Sequence, residues 1–252
     1  MNGFLSNLRR EFDWHLKQWL RWSAPVVKQP LGTWGEFEDG LSAPERQRLE
    51  VLSARYDLER WPQIATQAEL YLCLQRLDWL DQHLGALDPS GPCLDIGALN
   101  WAYLPALATS SPGHWLGVEL DAHQRYVSFD TRAAQAQRMA THFNADYRVC
   151  SVLDVTGSFG LITWFLPFVT PYPLKAAGLP DRFFEPERLL GHAVSLLAPN
   201  AQLFIVNKDA REAEHQAQLL RTLDVKTRSL GALSSPFEDE SDAFVGFIVE
   251  QT

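Results

Sequence analysis

Cysteine is scarce: Cys73, Cys93 and Cys150 are the only three in 252 residues. None forms a C-x-x-C pair and the number is odd, so neither a disulfide framework nor a zinc knuckle is indicated, and a reducing, cytoplasmic setting fits. No apolar run approaches the ~20 residues needed to span a bilayer, which excludes a transmembrane segment. Charges interrupt the apolar residues near the N-terminus and no small-residue cleavage site follows, so this end does not read as a signal peptide. Basic residues are in the minority. Lys and Arg number 22 against 31 Asp and Glu, for a formal net charge of −9 and a pI of about 5.2. That deficit argues against a broad grip on nucleic acid, which needs clustered cations to displace counterions. H-E-x-x-H, internal repeats and low-complexity tracts are also missing.

What is present is apolar and aromatic. The chain is 46% hydrophobic and 12% aromatic, with nine tryptophans, enough for a sizeable core and too much for disorder. The tryptophans suit core packing or an aromatic-lined pocket. The length suits one large domain or one domain with an appendage. Residues 1–88 read as mostly helical. Phe4, Leu8, Phe12, Leu16 and Trp19 recur at helical spacing, with Arg9, Arg10, Asp13, Lys17 and Arg21 between them. Such a helix either packs on the domain, a lid being one form of that packing, or lies on a membrane surface. Pro25 to Gly40 reads as a loop. Ser42 to Glu45 has the spacing of a capping box, and a leucine-rich helix runs from about Thr66 to Leu84, with Gly85 as its stop.

From residue 89 to 252 the pattern becomes that of a sheet protein. Pro92-Cys93-Leu94-Asp95-Ile96-Gly97-Ala98-Leu99-Asn100-Trp101-Ala102-Tyr103 is a short apolar strand, a turn and the start of a helix carrying Leu104, Leu107 and Ala108 on one face. Gly97 suits the turn because glycine reaches positive φ without strain. His114 to Glu119 reads as a second strand, Thr131 to Phe143 as a helix and Asp146 to Cys150 as a third strand. Leu161 to Phe165 is nearly all apolar, as a central parallel strand should be. It follows the third strand by only about ten residues, so the crossover helix is reduced or missing. Phe165 to Lys175, rich in proline and aromatics, is a pocket wall or a rigid braced loop. A helix opens at Glu185-Pro186-Glu187, Ala198-Pro199-Asn200 is a turn, and Ala201 to Val206 is a fifth strand. Glu212 to Leu223 is helical, Val225 to Leu230 and Ala243 to Val249 are strands, and the acidic run Phe237 to Asp242 is a solvated loop.

The central stretch resembles motif I of the class I S-adenosylmethionine-dependent methyltransferases, an acidic residue followed at fixed spacing by three alternating glycines. Asp95 and Gly97 match; Leu99 and Trp101 stand where the second and third glycines would be. The resemblance implies an α/β fold, a doubly wound, seven-stranded, mostly parallel sheet with an antiparallel last strand, plus the N-terminal helical extension. It implies S-adenosylmethionine as cofactor, an unidentified small molecule as substrate, and a cofactor site at Asp95, Gly97, Ala98, Glu119, Leu120 and Asp154. Amides after Gly97 would hold the donor's carboxylate. Glu119, 24 residues beyond Asp95, would accept from ribose hydroxyls, and Asp154, with Ser151 as its rival, from the adenine amino group. Read structurally, Glu119 is an exposed strand end and Asp154 a capping residue. Trp101, Tyr103 or Trp164 would lie near the sulfonium. Methyl transfer needs no protein nucleophile; no residue is fixed as a general base, though Tyr172, His192 and Lys208 fall near strand ends. Phe165-Leu166-Pro167-Phe168 lacks the polar first residue of the Asn-Pro-Pro-Tyr motif, so adenine or glutamine N-methylation is not supported. Glu119, Asp121 and His123 alternate, as a metal site or a polar loop would. Because Trp101 fills a glycine position, a second possibility is the same fold without cofactor binding, acting as a binding or scaffold protein. A nicotinamide oxidoreductase fits worst: the glycine loop is not full, and Tyr172 and Lys175 are three apart instead of four.

Overall fold

The computed structural model describes residues 2–17, 29–84, 91–126, 129–238 and 243–250. Trp19, Arg21, Pro25, Gly85 and the end of the acidic run from Asp239 to Asp242 therefore lie outside the described residues. The N-terminal part is helical: α1 (Asn2–Lys17), α2 (Trp34–Asp39), α3 (Ala43–Arg55) and α4 (Gln67–His83). Helix α2 lies inside the stretch expected to be a loop. Its reason is Phe37, which is fully buried and packs its ring on Trp34 and Tyr71 at 5.6 and 4.8 Å.

Both longer helices start on complete capping boxes. Ser42 and Glu45 exchange side-chain and backbone hydrogen bonds at the head of α3, as Thr66 and Glu69 do at α4. Helix α4 buries its apolar side chains and also Asp78 and Asp81. Arg48 of α3 answers those charges, with Nε 2.7 Å from Asp78 Oδ1 and Nη2 2.8 Å from Asp81 Oδ2. Arg55 pairs with Asp81 and the Tyr56 hydroxyl donates to it.

Seven strands form one sheet in the order β3-β2-β1-β4-β5-β7-β6. They are β1 (Cys93–Ile96), β2 (Trp115–Glu119), β3 (Ala145–Val149), β4 (Phe159–Phe165), β5 (Leu197–Asn207), β6 (Lys226–Ala232) and β7 (Val245–Glu250). The first five are mutually parallel, and β7 runs antiparallel between β5 and β6. This is the doubly wound architecture expected. The remaining helices are α5 (Leu104–Ser110), α6 (Arg132–Ala140), α7 (Pro171–Ala176), α8 (Pro186–Ser195) and α9 (Ala210–Leu220).

Alternation along the strands sorts the core into two layers. On one face Trp101, Trp115 and Phe204 join Phe37, Leu52, Leu74 and Trp79, so α2 to α4 and the sheet share one apolar cluster. On the other, Ile162, Leu203 and Ile205 meet Leu190, Ala193 and Leu220 of α8 and α9. The crossover from β3 to β4 is a single 3-10 turn, Val152–Asp154. Two local expectations are corrected. Ala198-Pro199-Asn200 lies inside β5, where the ladder with β4 shifts register between Phe159 and Leu161; Asn200 takes φ +63°, a conformation asparagine tolerates. Pro171 and Pro173 open helix α7, since prolines in a first turn forgo no intrahelical hydrogen bond. Among the described residues no helix is long and apolar enough to cross a membrane.

The link between α3 and α4 is testable. Replacing Arg48 by Met leaves Asp78, fully buried, without its cation. Because Arg48 is itself 21% exposed, the expected loss is about 2–4 kcal/mol in urea unfolding, somewhat below that of a fully buried pair. A loss under about 0.5 kcal/mol would show that the pair does not anchor the helices.

Candidate functional site

Strand order reverses between β1 and β4, and ligands of open α/β sheets bind at such a switch point, beyond the carboxyl ends of the strands. The loop from Gly97 to Tyr103 leaves β1 here. Gly97, Leu99 and Trp101 have φ of +76°, +52° and +55°. All three alternate positions thus keep the left-handed backbone natural to glycine, although two of them carry side chains.

That conformation costs roughly 1–2 kcal/mol at a residue with a Cβ and persists only where the surroundings over-determine it. They do so here. The N–H groups of Gly97 and Ala98 both donate to the Val118 carbonyl, at 2.9 and 3.1 Å, and that of Trp101 to the Ala98 carbonyl at 2.7 Å. Leu99 N–H donates to Glu119 Oε2 at 3.0 Å, while the Tyr147 hydroxyl donates to the Leu99 carbonyl at 2.6 Å. The Asn100 amide reaches Gln135 at 3.2 Å. Since the Gly97 and Ala98 amides point at β2, they are not directed outward as a carboxylate cradle would need. Leu99 presents its side chain to solvent, and a Cβ built on Gly97 meets nothing within 4 Å, so the loop's outer side is open.

Trp101 does the opposite. Its indole is fully buried beneath the loop, against Tyr147 at 5.9 Å between ring centroids and directly over β2. A Cβ at Gly117 would stand 2.7 Å from the ring, which is why that strand position is glycine. The bulk expected to invade the ligand's space goes into the core instead.

Asp95 points to the same face and is completely buried. Its Oδ1 accepts from Thr163 Oγ1 at 2.7 Å and its Oδ2 from the Tyr103 hydroxyl at 2.9 Å. Burial pushes the carboxyl up to about 7, against the opposing pull of those two donors, of the nearby indole N–H of Trp101 and of the Arg76 guanidinium. The indole N–H favours the carboxylate without making a hydrogen bond of normal geometry. Arg76 stacks between the rings of Trp79 and Phe165, 4.4 and 4.6 Å from their centroids. Sequence reading missed Tyr103 as a partner of Asp95, and Thr163 and Arg76 altogether; only the register Asp95 to Thr163 brings the hydroxyl into place.

Glu119 is also buried. Beyond Leu99, it accepts from the Asp121 N–H at 2.6 Å. Burial raises its carboxyl above the usual range, while Arg132 and the two backbone donors pull it back. Asp121 pairs with Arg132, and among the described residues no three His, Cys, Asp or Glu side chains cluster as a metal site would require. Leu120 is half-buried in a small apolar cluster with Trp14, Leu174 and Leu179. The structure thus gathers Asp95, Gly97, Ala98, Glu119 and Leu120 at adjacent strand ends. Asp154 stands apart in the turn after β3, exposed, its carboxylate accepting from the Ser151 N–H at 3.2 Å. Trp164 belongs to the opposite core layer from Trp101 and Tyr103. Tyr172 is exposed on α7, His192 contacts the Val155 carbonyl beneath α8, and Lys208 follows β5. A cavity of about 260 Å³ between the head of α4 and α6 includes Thr66, Glu69, Gln135 and Arg138 in its lining; of the loop it touches Asn100.

Two outcomes follow from this geometry. Gly117→Ala forces methyl and indole together and should lower stability by about 1–3 kcal/mol in urea unfolding; no loss would mean that the indole moves freely. Asp95 holds its proton more tightly folded than unfolded, so its contribution to stability is greatest near pH 4 and is lost as the pH rises to about 7. Relative to Asp95→Asn, wild type should lose stability over that window, with a slope of up to about 1.4 kcal/mol per pH unit from this group. Asp95→Asn should flatten the slope, leaving the part due to Glu119, which has the same sign. Identical slopes would rule out a buried, proton-linked Asp95.

No family model matches the chain, and no curated protein matches it by sequence. Solved structures do match in shape. The plantazolicin methyltransferase BpumL, in complex with SAH, is 11% identical over 98% of this chain and 99% of its own, with a TM-score of 0.49. A SAM-dependent methyltransferase from Aquifex aeolicus is 12% identical over 69% and 88%, also with a TM-score of 0.49. The N-methyltransferase NodS from Bradyrhizobium japonicum, in complex with S-adenosyl-L-homocysteine, is 14% identical over 88% of this chain and 100% of its own, with a TM-score of 0.50. At such identities the likeness is one of fold, and the strand order agrees with it: the chain has the Rossmann-like fold of the class I S-adenosylmethionine-dependent methyltransferases.

Proposed function

We infer that the chain is an S-adenosylmethionine-dependent methyltransferase acting on a small molecule. The observation that carries this reading is the loop after β1, which holds the backbone shape of a three-glycine motif with only one of the glycines left. A loop kept in a strained shape by at least five surrounding hydrogen bonds is over-built for a plain connection. Gly97 leaves its outer side open for a ligand to lie against. Glu119 accepts one backbone hydrogen bond on each oxygen and keeps lone pairs for ribose hydroxyls. Leu120 supplies an apolar contact beside it, and Asp154 an acceptor for an adenine amino group. Asp95 is sealed from any ligand and acts as a positioning residue, through Tyr103 and Thr163.

When bound, S-adenosylmethionine would supply a methyl group on a sulfonium for in-line transfer to the acceptor. The protein's share is orientation and exclusion of water. In this reading residues 1–88 cover the 89–252 domain; Trp14 of α1 shares a cluster with Leu120 after β2 and Phe168 after β4, which flank β1. The excess of acidic residues favours a small acceptor over nucleic acid, and the cytoplasm suits three cysteines of which none is in a disulfide. One observation favours a fold that has given up the cofactor: the Gly97 and Ala98 amides are spent on Val118.

Calorimetry and thermal shift with S-adenosylhomocysteine, the ligand of NodS, separate the two. Saturable heat and a raised melting temperature are expected. Glu119→Ala should then weaken binding by roughly 1–3 kcal/mol, the value of lost hydrogen-bond acceptors. Neither heat nor shift at about 1 mM ligand, a level that detects interactions near −4 kcal/mol, would favour the scaffold. Unchanged affinity in the variant would remove Glu119 from the site.

A further inference from the structure

Helix α1 is mounted with its polar side inward. Arg10 reaches the Leu179 carbonyl at 3.1 Å and Asp181 Oδ1 at 2.6 Å, Asn7 accepts from the Asp181 N–H at 3.0 Å, and Glu11 pairs with Arg182. Trp14 is the one buried aromatic on it, 4.9 Å from Phe183. The apolar arc therefore faces out: Phe4, Leu5, Leu8 and Phe12 are 72, 57, 56 and 65% exposed and Leu16 is 40% exposed. At 100° per residue these five cover about 120° of the helix, with His15 the one polar residue among them. Rotating the arc inward would break every one of the anchoring contacts.

We propose that this face lies on a lipid surface, in the plane of the headgroups. Two observations choose lipid over a second protein. First, the exposed apolar side chains are not confined to α1: Leu166 and Tyr172 project from the segments after β4, where Phe168 and Leu174 share a cluster with Trp14 of α1. A fluid bilayer receives scattered insertions without a complementary shape, whereas a protein partner needs one packed patch. Second, Arg9, 84% exposed, borders the arc and has the long stem that keeps a cation in the headgroup layer above buried methylenes. The net charge of −9 makes attraction to anionic headgroups a poor driver, so the surface is zwitterionic and contact is apolar.

The test is flotation of the full chain with phosphatidylcholine vesicles, with sedimentation analysis in the absence of lipid. Wild type should float with the vesicles, independently of salt, and be monomeric without them. A Phe4→Ser, Leu8→Ser, Phe12→Ser variant, altered at exposed positions and checked for an unchanged melting temperature, should lose vesicle partition by about tenfold or more. Failure of the wild type to float, equal flotation of the variant, or a lipid-free dimer that the variant splits would each overturn the proposal, the last in favour of a second copy. No cofactor enters the measurement, so its failure leaves the methyl-transfer reading untouched, and failure of that reading leaves this one.

Discussion

The hydrogen bond from the Leu99 N–H to the Glu119 carboxylate, 3.0 Å long, is the constraint on which the candidate site depends. A leucine has no reason of its own to sit at φ +52°. A buried carboxylate aimed at its amide supplies one, because withdrawing that amide would leave a charge-bearing group without its donor. The same carboxylate closes the turn after β2 through the Asp121 N–H, so one side chain fixes both loops that flank the mouth of the sheet. In an acid-for-ribose reading, Glu119 is a ligand contact; in this fold it is first a clamp. The two roles use different lone pairs and do not compete.

Below the loop, the polar groups are arranged for a site without water. Asp95, Tyr103 and Thr163 satisfy one another in a layer that is otherwise mostly apolar, with Arg76 close enough to lower the proton affinity that burial raises. Such a group holds the strand end rigid so long as it remains complete. The face above it is different in kind: Leu99, Leu166 and the arc of α1 leave apolar surface in solvent. Within two apolar core layers, this small buried polar group and the exposed apolar side chains of Leu99 and Leu166 are the local exceptions, and both stand at the carboxyl edge of the sheet, where ligands of this architecture bind.

How much of this was legible in the chain depends on the kind of signal. Order along the sequence was legible. The strand–turn–helix at Pro92 to Tyr103, the acid at the end of β2, the missing crossover helix, the capping box at Ser42 and the helix start near Thr66 are all local patterns, and the structure has each of them as expected. Conformation against propensity was not legible. Side chains at the second and third glycine positions, Leu99 and Trp101, gave no sign of a left-handed backbone, yet tertiary hydrogen bonds hold one there. Periodicity identified the apolar arc of α1 but not the direction it faces, since a moment gives an axis and the anchoring residues, Asp181 and Arg182, lie more than 160 residues away. The partners of Asp95 come from β4, from the loop before α5 and from α4; strand register places Thr163, and tertiary packing places Arg76. Helices α2 and α7 hid among prolines and glycines because one buried side chain, Phe37 or Leu174, outweighs local breakers.

The indole of Trp101 resting on Gly117 ties these two positions to each other. Placing glycine at position 101 on its own would empty a void the size of an indole inside the first core layer, at a cost of about 3–5 kcal/mol. Adding bulk at position 117 first would drive that bulk into the ring. Neither half-step is tolerable alone, so the two positions should change together or not at all, and among distant kin the pair would appear as a correlated swap: aromatic with glycine in one lineage, glycine with a branched aliphatic in another.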